Sequence, residues 1–214
     1  MKKPTILVTG FQPFLGQEKN SSGEAVRLLP KEVSGCRIET RILPVKWFGC
    51  VDELEKALAE TKPDVWLGTG QGYPVPPLLI ERVGLNLASG PDGDFEVDLR
   101  EQPIFAGGPA AYFSSFPYEA VHQRLKKEGI PVRYSFSAGQ NQCNCVLYAA
   151  LHFAATRYPG LQAGFLHLPM VPDGTRENTM TPQECARALV FCLEEIGRTL
   201  TLPVRSLDEY RESL

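Results

Sequence analysis

The chain of 214 residues sets 22 Lys and Arg against 25 Asp and Glu, a formal net charge of -3, with 43% hydrophobic and 22% charged residues. That balance excludes disordered, fibrous and low-complexity architectures and predicts one globular domain over residues 1–214. It also lacks the basic footprint of a nucleic-acid binder, and no apolar run reaches the roughly 20 residues that cross a bilayer, so neither nucleic acid nor membrane is an expected partner. The start Met1-Lys2-Lys3-Pro4 leads into a short apolar stretch, a first strand rather than a signal peptide. Six cysteines in a chain of this size read as reduced thiols in a cytoplasm.

Thr5-Ile6-Leu7-Val8-Thr9 is a β-branched run closed by Gly10, which predicts a buried strand. After a loop containing Phe11, Pro13 and Phe14, Ser21 and Glu24 have capping-box spacing for a helix through Leu29. Ile38, Thr40 and Ile42 alternate with charges, a half-exposed strand, and Phe48, Val51, Leu54 and Leu58 form one helical stripe. Val65-Trp66-Leu67 predicts a strand entering a glycine-rich turn, Gly68 to Gly72, and Leu78 to Leu87 another strand. Ser89 to Asp94 reads as a turn or exposed loop, and Phe95 to Phe116 as irregular. Pro117 at a first helical position opens a helix to Glu128, stopped by Gly129. Val132 to Ser137 is a strand, Cys143 to Thr156 a helix, and Ala163 to Leu168 a strand stopped by Pro169. Thr181, Pro182 and Glu184 then form a cap set for a final helix burying Cys185, Leu189, Cys192, Leu193 and Ile196. Strands alternating with helices predict an α/β fold, a single-domain three-layer sandwich with a twisted, mostly parallel sheet and helices on both faces.

In such folds ligands bind beyond the carboxyl ends of the strands. Cys143 stands at the start of a helix, where unpaired backbone N–H groups and the helix dipole favour a thiolate nucleophile and an oxyanion. His167 lies near the end of a strand, and would reach the sulfur if its strand neighbours the one before Cys143. Glu81 follows three aliphatic residues, and a charge there needs a partner, which an imidazolium or an Arg would supply; alternatively it is a surface acid on an edge strand paired with Arg82. Together the three would make a nucleophile, a base and an orienting acid. The other five cysteines are expected to pack the interior, and His122 and His152 to be surface or partly packed. A Cys143/Cys145/His152 metal site lacks a fourth ligand and a recognised spacing. Gly68-Thr69-Gly70-Gln71-Gly72 lacks the third glycine and following helix of a dinucleotide site, since Tyr73 and prolines follow.

The segments Ile6 to Phe14, Gly70-Gln71, Glu81-Arg82-Val83 with Asn86, Ser137-Ala138-Gly139 with Cys143-Asn144, and Gly164 to Pro169 resemble, in order, the pyroglutamyl peptidase I (pyrrolidone carboxyl peptidase) family. The resemblance implies a cytoplasmic cysteine omega-peptidase that removes N-terminal 5-oxoproline from peptides. It further implies no metal or cofactor, and assembly as a homodimer or homotetramer. Carried over by motif, Cys143 is the nucleophile, His167 the general base and acid, Glu81 the residue that holds the imidazole, and Phe11, Phe14 and Gln71 bind the substrate. A lactam-capped terminus carries no ammonium, so flat apolar walls and a few amide partners suffice to bind it.

The chain departs from the family's pattern in three places. Gln140-Asn141-Gln142 stands where the family commonly carries Thr, an aromatic and an apolar residue. Ala88-Ser89-Gly90-Pro91-Asp92 lacks the Arg usual there, and Gly72-Tyr73-Pro74 replaces further small residues and an Arg. These changes bear on specificity and rate, and support a competing reading: a weakened or respecialised member that binds or cleaves another small N-acyl amide.

Overall fold

The computed structural model describes residues 3–74, 76–93, 96–172 and 179–201. In chain order the elements are β1 (Thr5–Phe11), α1 (Ser21–Arg27), β2 (Glu32–Val33), β3 (Cys36–Leu43), α2 (Gly49–Thr61), β4 (Val65–Gln71), β5 (Leu78–Glu81) and β6 (Val83–Leu85). They continue with β7 (Ala88–Pro91), β8 (Asp98–Gln102), β9 (Ala111–Phe113), α3 (Tyr118–Lys127), β10 (Val132–Ser135), α4 (Gln142–Thr156), β11 (Gln162–Leu168) and α5 (Pro182–Thr201). The central sheet has the order β10-β5-β11-β4-β1-β3-β2, and two small antiparallel pairs, β6-β9 and β7-β8, lie outside it. β3, β1, β4 and β11 run parallel, while β5 is antiparallel to β11 and β2 to β3.

Strand alternation sorts the side chains into two cores. Ile6, Val8, Leu67 and Leu166 point to one face, where they pack with residues of α1, α3 and α5. Leu7, Trp66, Ala163 and Phe165 point to the other, against α2 and α4. The result is the predicted three-layer sandwich, with helices on both faces of a mostly parallel sheet. Its last helix starts as expected: Glu184 accepts from the Thr181 N–H and returns its own N–H to Thr181 Oγ1.

Several local expectations are corrected. Asn20, not Ser21, caps α1, its side chain accepting from the Ser22 N–H, while Glu24 pairs with Arg27. Phe48 is 64% exposed at positive φ before α2, whose buried stripe is Cys50, Leu54, Ala57 and Leu58. Leu78 to Leu87 is not one strand: it breaks at Arg82, with β5 entering the main sheet and β6 pairing with β9. The loop read at Ser89 to Asp94 begins within β7, which forms a small hairpin with β8, and the irregular stretch contains β8 and β9. Asp94 and Phe95 lie outside the described residues.

The predicted turn at Gly68 to Gly72 is mostly strand, since β4 runs unbroken through Gln71. Its glycines make room rather than bend the chain. A Cβ on Gly68 would lie 2.4 Å from the Trp66 ring and 2.5 Å from Phe165.

Candidate active site

The parallel strands of the sheet turn their carboxyl ends toward one cleft of about 590 Å³, lined by Phe11 from β1, Gln71 from β4, His167 from β11 and Cys143 from α4. The strand order reverses between β1 and β4, the position where open α/β sheets bind ligands.

β10 and β11 are not neighbours, as the simplest reading of consecutive strands requires; β5 lies between them. The sulfur instead reaches the histidine across β4. Gly70 pairs in register with His167, and a Cβ on Gly70 would stand 2.7 Å from Cys143 Sγ and 2.9 Å from the Phe165 ring. The bare backbone of Gly70 is therefore the floor on which the sulfur rests. Gly72 serves the imidazole similarly, with His167 Cβ 3.0 Å from where its own Cβ would be. Gly70→Ala is expected to displace the sulfur and cost about 1–3 kcal/mol by overpacking, with a fall of about 10²-fold in kcat, measured by urea unfolding and by turnover.

The insertion of β5 beside β11 brings the carboxylate. Glu81 is completely buried, and its Oε1 lies 2.8 Å from His167 Nδ1. Its Oε2 has no hydrogen-bond partner among the described residues, so His167 supplies the main compensation for a buried charge. The surface-acid alternative for Glu81 is thereby ruled out. Burial alone would lower the pKa of His167, but negative charge on Cys143 and its hydrogen bond, with those of Glu81, raise it to about 10. Imidazolium is the form these neighbours favour.

α4 begins with no side-chain hydrogen bond from its N-cap Asn141 and no acidic residue in its first turn. Its leading N–H groups and positive dipole end remain available beside Cys143. Cys143 is partly exposed, whereas the other five thiols are buried. Burial pushes Cys185 up to about 12. Cys50 is raised well above its ordinary value by a hydrogen bond with Cys145 and by burial.

Phe11 is buried and Phe14 half-buried, and both line the cleft. Gln71 lines it too, but its Oε1 accepts from the Ser21 N–H and its Nε2 donates to Gln17 Oε1. The amide thus ties β4 to the Phe-containing loop. Pro91, Asp92 and Gly93 form part of the cleft wall rather than an exposed loop, with the Gly93 N–H donating to the Val45 carbonyl at 2.7 Å. Ser89 N–H donates to the Gln140 carbonyl, and Gly90 abuts Asn141. Two of the segments that depart from the family's pattern therefore pack on each other at the cleft. His152 stacks on Phe105 and pairs with Tyr112, and His122 stacks on Tyr134; neither lines the cleft.

The role of Asn144 was not legible from its place beside the cysteine. It is fully buried, donates to the carbonyls of Leu85 and Leu87 and accepts from the Leu85 N–H. This clamp fixes the start of α4 to β6, and through it the sulfur. Asn144→Ala is expected to destabilise by about 1–3 kcal/mol, since the Leu85 N–H and the Leu87 carbonyl lose their Asn144 partner while the Leu85 carbonyl keeps the Leu87 N–H; chemical denaturation measures the loss.

The pyroglutamyl peptidase family model matches residues 4–204. The pyrrolidone-carboxylate peptidase of Thermococcus onnurineus is 40% identical over 195 residues, covering 91% of this chain and 97% of that protein. The enzyme of the same name from Levilactobacillus brevis is 35% identical, covering 94% and 96%. Among solved structures, pyroglutamyl peptidase I of Bacillus amyloliquefaciens superimposes with a TM-score of 0.85 at 29% identity, over 92% of this chain and 98% of that one. A variant of the pyrrolidone carboxyl peptidase from Pyrococcus furiosus gives 0.85 at 32%, over 92% and 99%. Family match, relatives and fold agree over nearly the whole chain, which belongs to the pyroglutamyl peptidase family.

Proposed function

We propose that Cys143, His167 and Glu81 carry out in this chain the family's reaction, cleavage of the amide after an N-terminal pyroglutamyl residue by a cysteine peptidase mechanism. The observation that carries the assignment is the buried Glu81 carboxylate at 2.8 Å from Nδ1 of a histidine whose strand partner, Gly70, holds the Cys143 sulfur. The sulfur attacks the scissile carbonyl carbon, and the oxygen takes up charge facing the N–H groups of the first turn of α4. Imidazolium at His167 gives its proton to the departing amine, leaving a thioester on Cys143. His167 then takes a proton from water, which attacks the thioester; the C–S bond breaks, the sulfur leaves as the anion beside the restored imidazolium, and 5-oxoproline departs. Glu81 keeps the ring oriented and stabilises its positive charge through both halves.

Phe11 and Phe14 are proposed to wall the flat lactam, and Gln71 to hold the loop that carries Phe14 in place. No described helix is long and apolar enough to cross a membrane. The proposal includes a cytoplasmic homodimer or homotetramer, for which the family resemblance and the 65% exposed Phe136 beside the outer strand β10 are the support. Light scattering should then give two or four times the 23.7 kDa chain.

The direct test is release of a fluorescent amine from an L-pyroglutamyl amide under reducing conditions, with an L-prolyl amide as control. Hydrolysis of the first alone is expected. A folded protein that releases nothing from it, yet is alkylated by iodoacetamide at Cys143 ahead of the other thiols, would assign the machinery to a different acyl group.

A further inference from the structure

Gln142 opens α4 one residue before Cys143 and lines the cleft. It is only 5% exposed, and its Nε2 is buried without a hydrogen-bond partner among the described residues. Three other polar side chains of the cleft are engaged. Gln71 bonds Ser21 and Gln17, Asn20 bonds Ser22 and Gln12, and Asp92 accepts from Glu96 and Val97. An amide nitrogen withdrawn from water and left unpaired is unfavourable in the free protein, and a ligand that brings an acceptor to it removes that penalty on binding.

We infer that Gln142 is a specificity-determining residue whose amide donates a hydrogen bond to the ring carbonyl oxygen of the bound pyroglutamyl group. The inference rests on the function proposed above. The scissile oxygen already has donors in the uncapped first turn of α4. For the ring oxygen, Gln142 Nε2 is the one buried side-chain nitrogen of the cleft lining without a partner among the described residues, while Asn20 and Gln71 each commit an N–H to Gln12 and Gln17. The terminal torsion of a glutamine is broad, so the free amide can turn its N–H toward the cleft without moving the rest of the side chain. The polar segment that replaces the family's usual apolar residues thereby becomes a recognition element for the lactam.

The test compares wild type with Gln142→Met, which keeps length and removes the donor, and with Gln142→Leu. Two quantities are measured: steady-state kinetics on an L-pyroglutamyl amide, and the rate of Cys143 carboxymethylation by iodoacetamide, a reagent with no lactam. Loss of one hydrogen bond predicts a fall of about tenfold in kcat/KM, carried mainly by KM, with alkylation changed less than about twofold. Unchanged kcat/KM in both variants would overturn the inference. So would a parallel fall in kcat/KM and alkylation, since Gln142 would then support the thiol or the fold rather than the ring. A wild type that alkylates at Cys143 but releases no amine would overturn the pyroglutamyl reading itself, and this inference with it.

Discussion

Cys143→Ala is expected to lower hydrolysis of an L-pyroglutamyl amide by at least about 10⁴-fold, because it removes the sulfur proposed to form the acyl intermediate. Stability should change by no more than about 1 kcal/mol, since the side chain is partly exposed and alanine suits a helix's first turn. The substitution has a second, independent readout. His167 owes its value of about 10, against the pull of burial, first to charge on Cys143 and its hydrogen bond, then to Glu81. Removing the sulfur should lower the His167 pKa, a change that NMR titration of the imidazole resolves. A variant that keeps wild-type turnover would move the nucleophile elsewhere; one that loses turnover but leaves the His167 titration unmoved would break the proposed contact between sulfur and ring.

Glu81→Gln should cost about 10²- to 10⁴-fold in kcat, the range expected when the orienting carboxylate of a nucleophile–histidine pair is replaced by an amide. The isostere fills the same buried space, so KM for the pyroglutamyl amide should change little. The pH dependence of stability follows from the sign of the histidine shift. The folded value of about 10 lies above the ordinary 6.5, so the imidazolium adds stability that is complete below about pH 6.5 and is lost as pH rises through about 10. Loss of Glu81 lowers the folded value, and the stability gap between wild type and variant should be widest below about pH 6.5 and close toward about pH 10. Urea unfolding at both ends of that range measures it; a gap that widens with pH would contradict the buried imidazolium–carboxylate pair. His167→Ala should be more damaging to the fold than Glu81→Gln, by about 3–5 kcal/mol relative to wild type, because it leaves the buried Glu81 charge uncompensated.

Much of the architecture was legible where the signal is local. The β-branched run of β1, the alanine- and leucine-rich α4, the Thr181 and Glu184 box of α5 and the stop at Pro169 depend on neighbours within a few residues, and they stand where the spacing put them. The positions of two candidate site residues were legible as well, since a cysteine at a helix start and a histidine near a strand end can be read from local pattern. Legibility failed where a residue's role depends on partners distant in sequence. Gly68 and Gly70 read as a turn because glycine commonly bends a chain, whereas here they clear space for Trp66, Phe165 and the Cys143 sulfur. Asn144 looked like part of a motif and proved to be a buried clamp on β6.

The sequence by itself determined the layers of the sandwich, the helix that presents Cys143 and the strand that presents His167, because hydrophobic period and capping are local and the hydrophobic effect acts on each element's own face. Only the tertiary structure decided that β5 inserts between β10 and β11, antiparallel to β11, that Glu81 is thereby buried against His167, and that Gln142, whose Nε2 has no partner among the described residues, lines the cleft. Strand order and register are set by which surfaces bury one another across long stretches of chain, and no short window of sequence contains both partners.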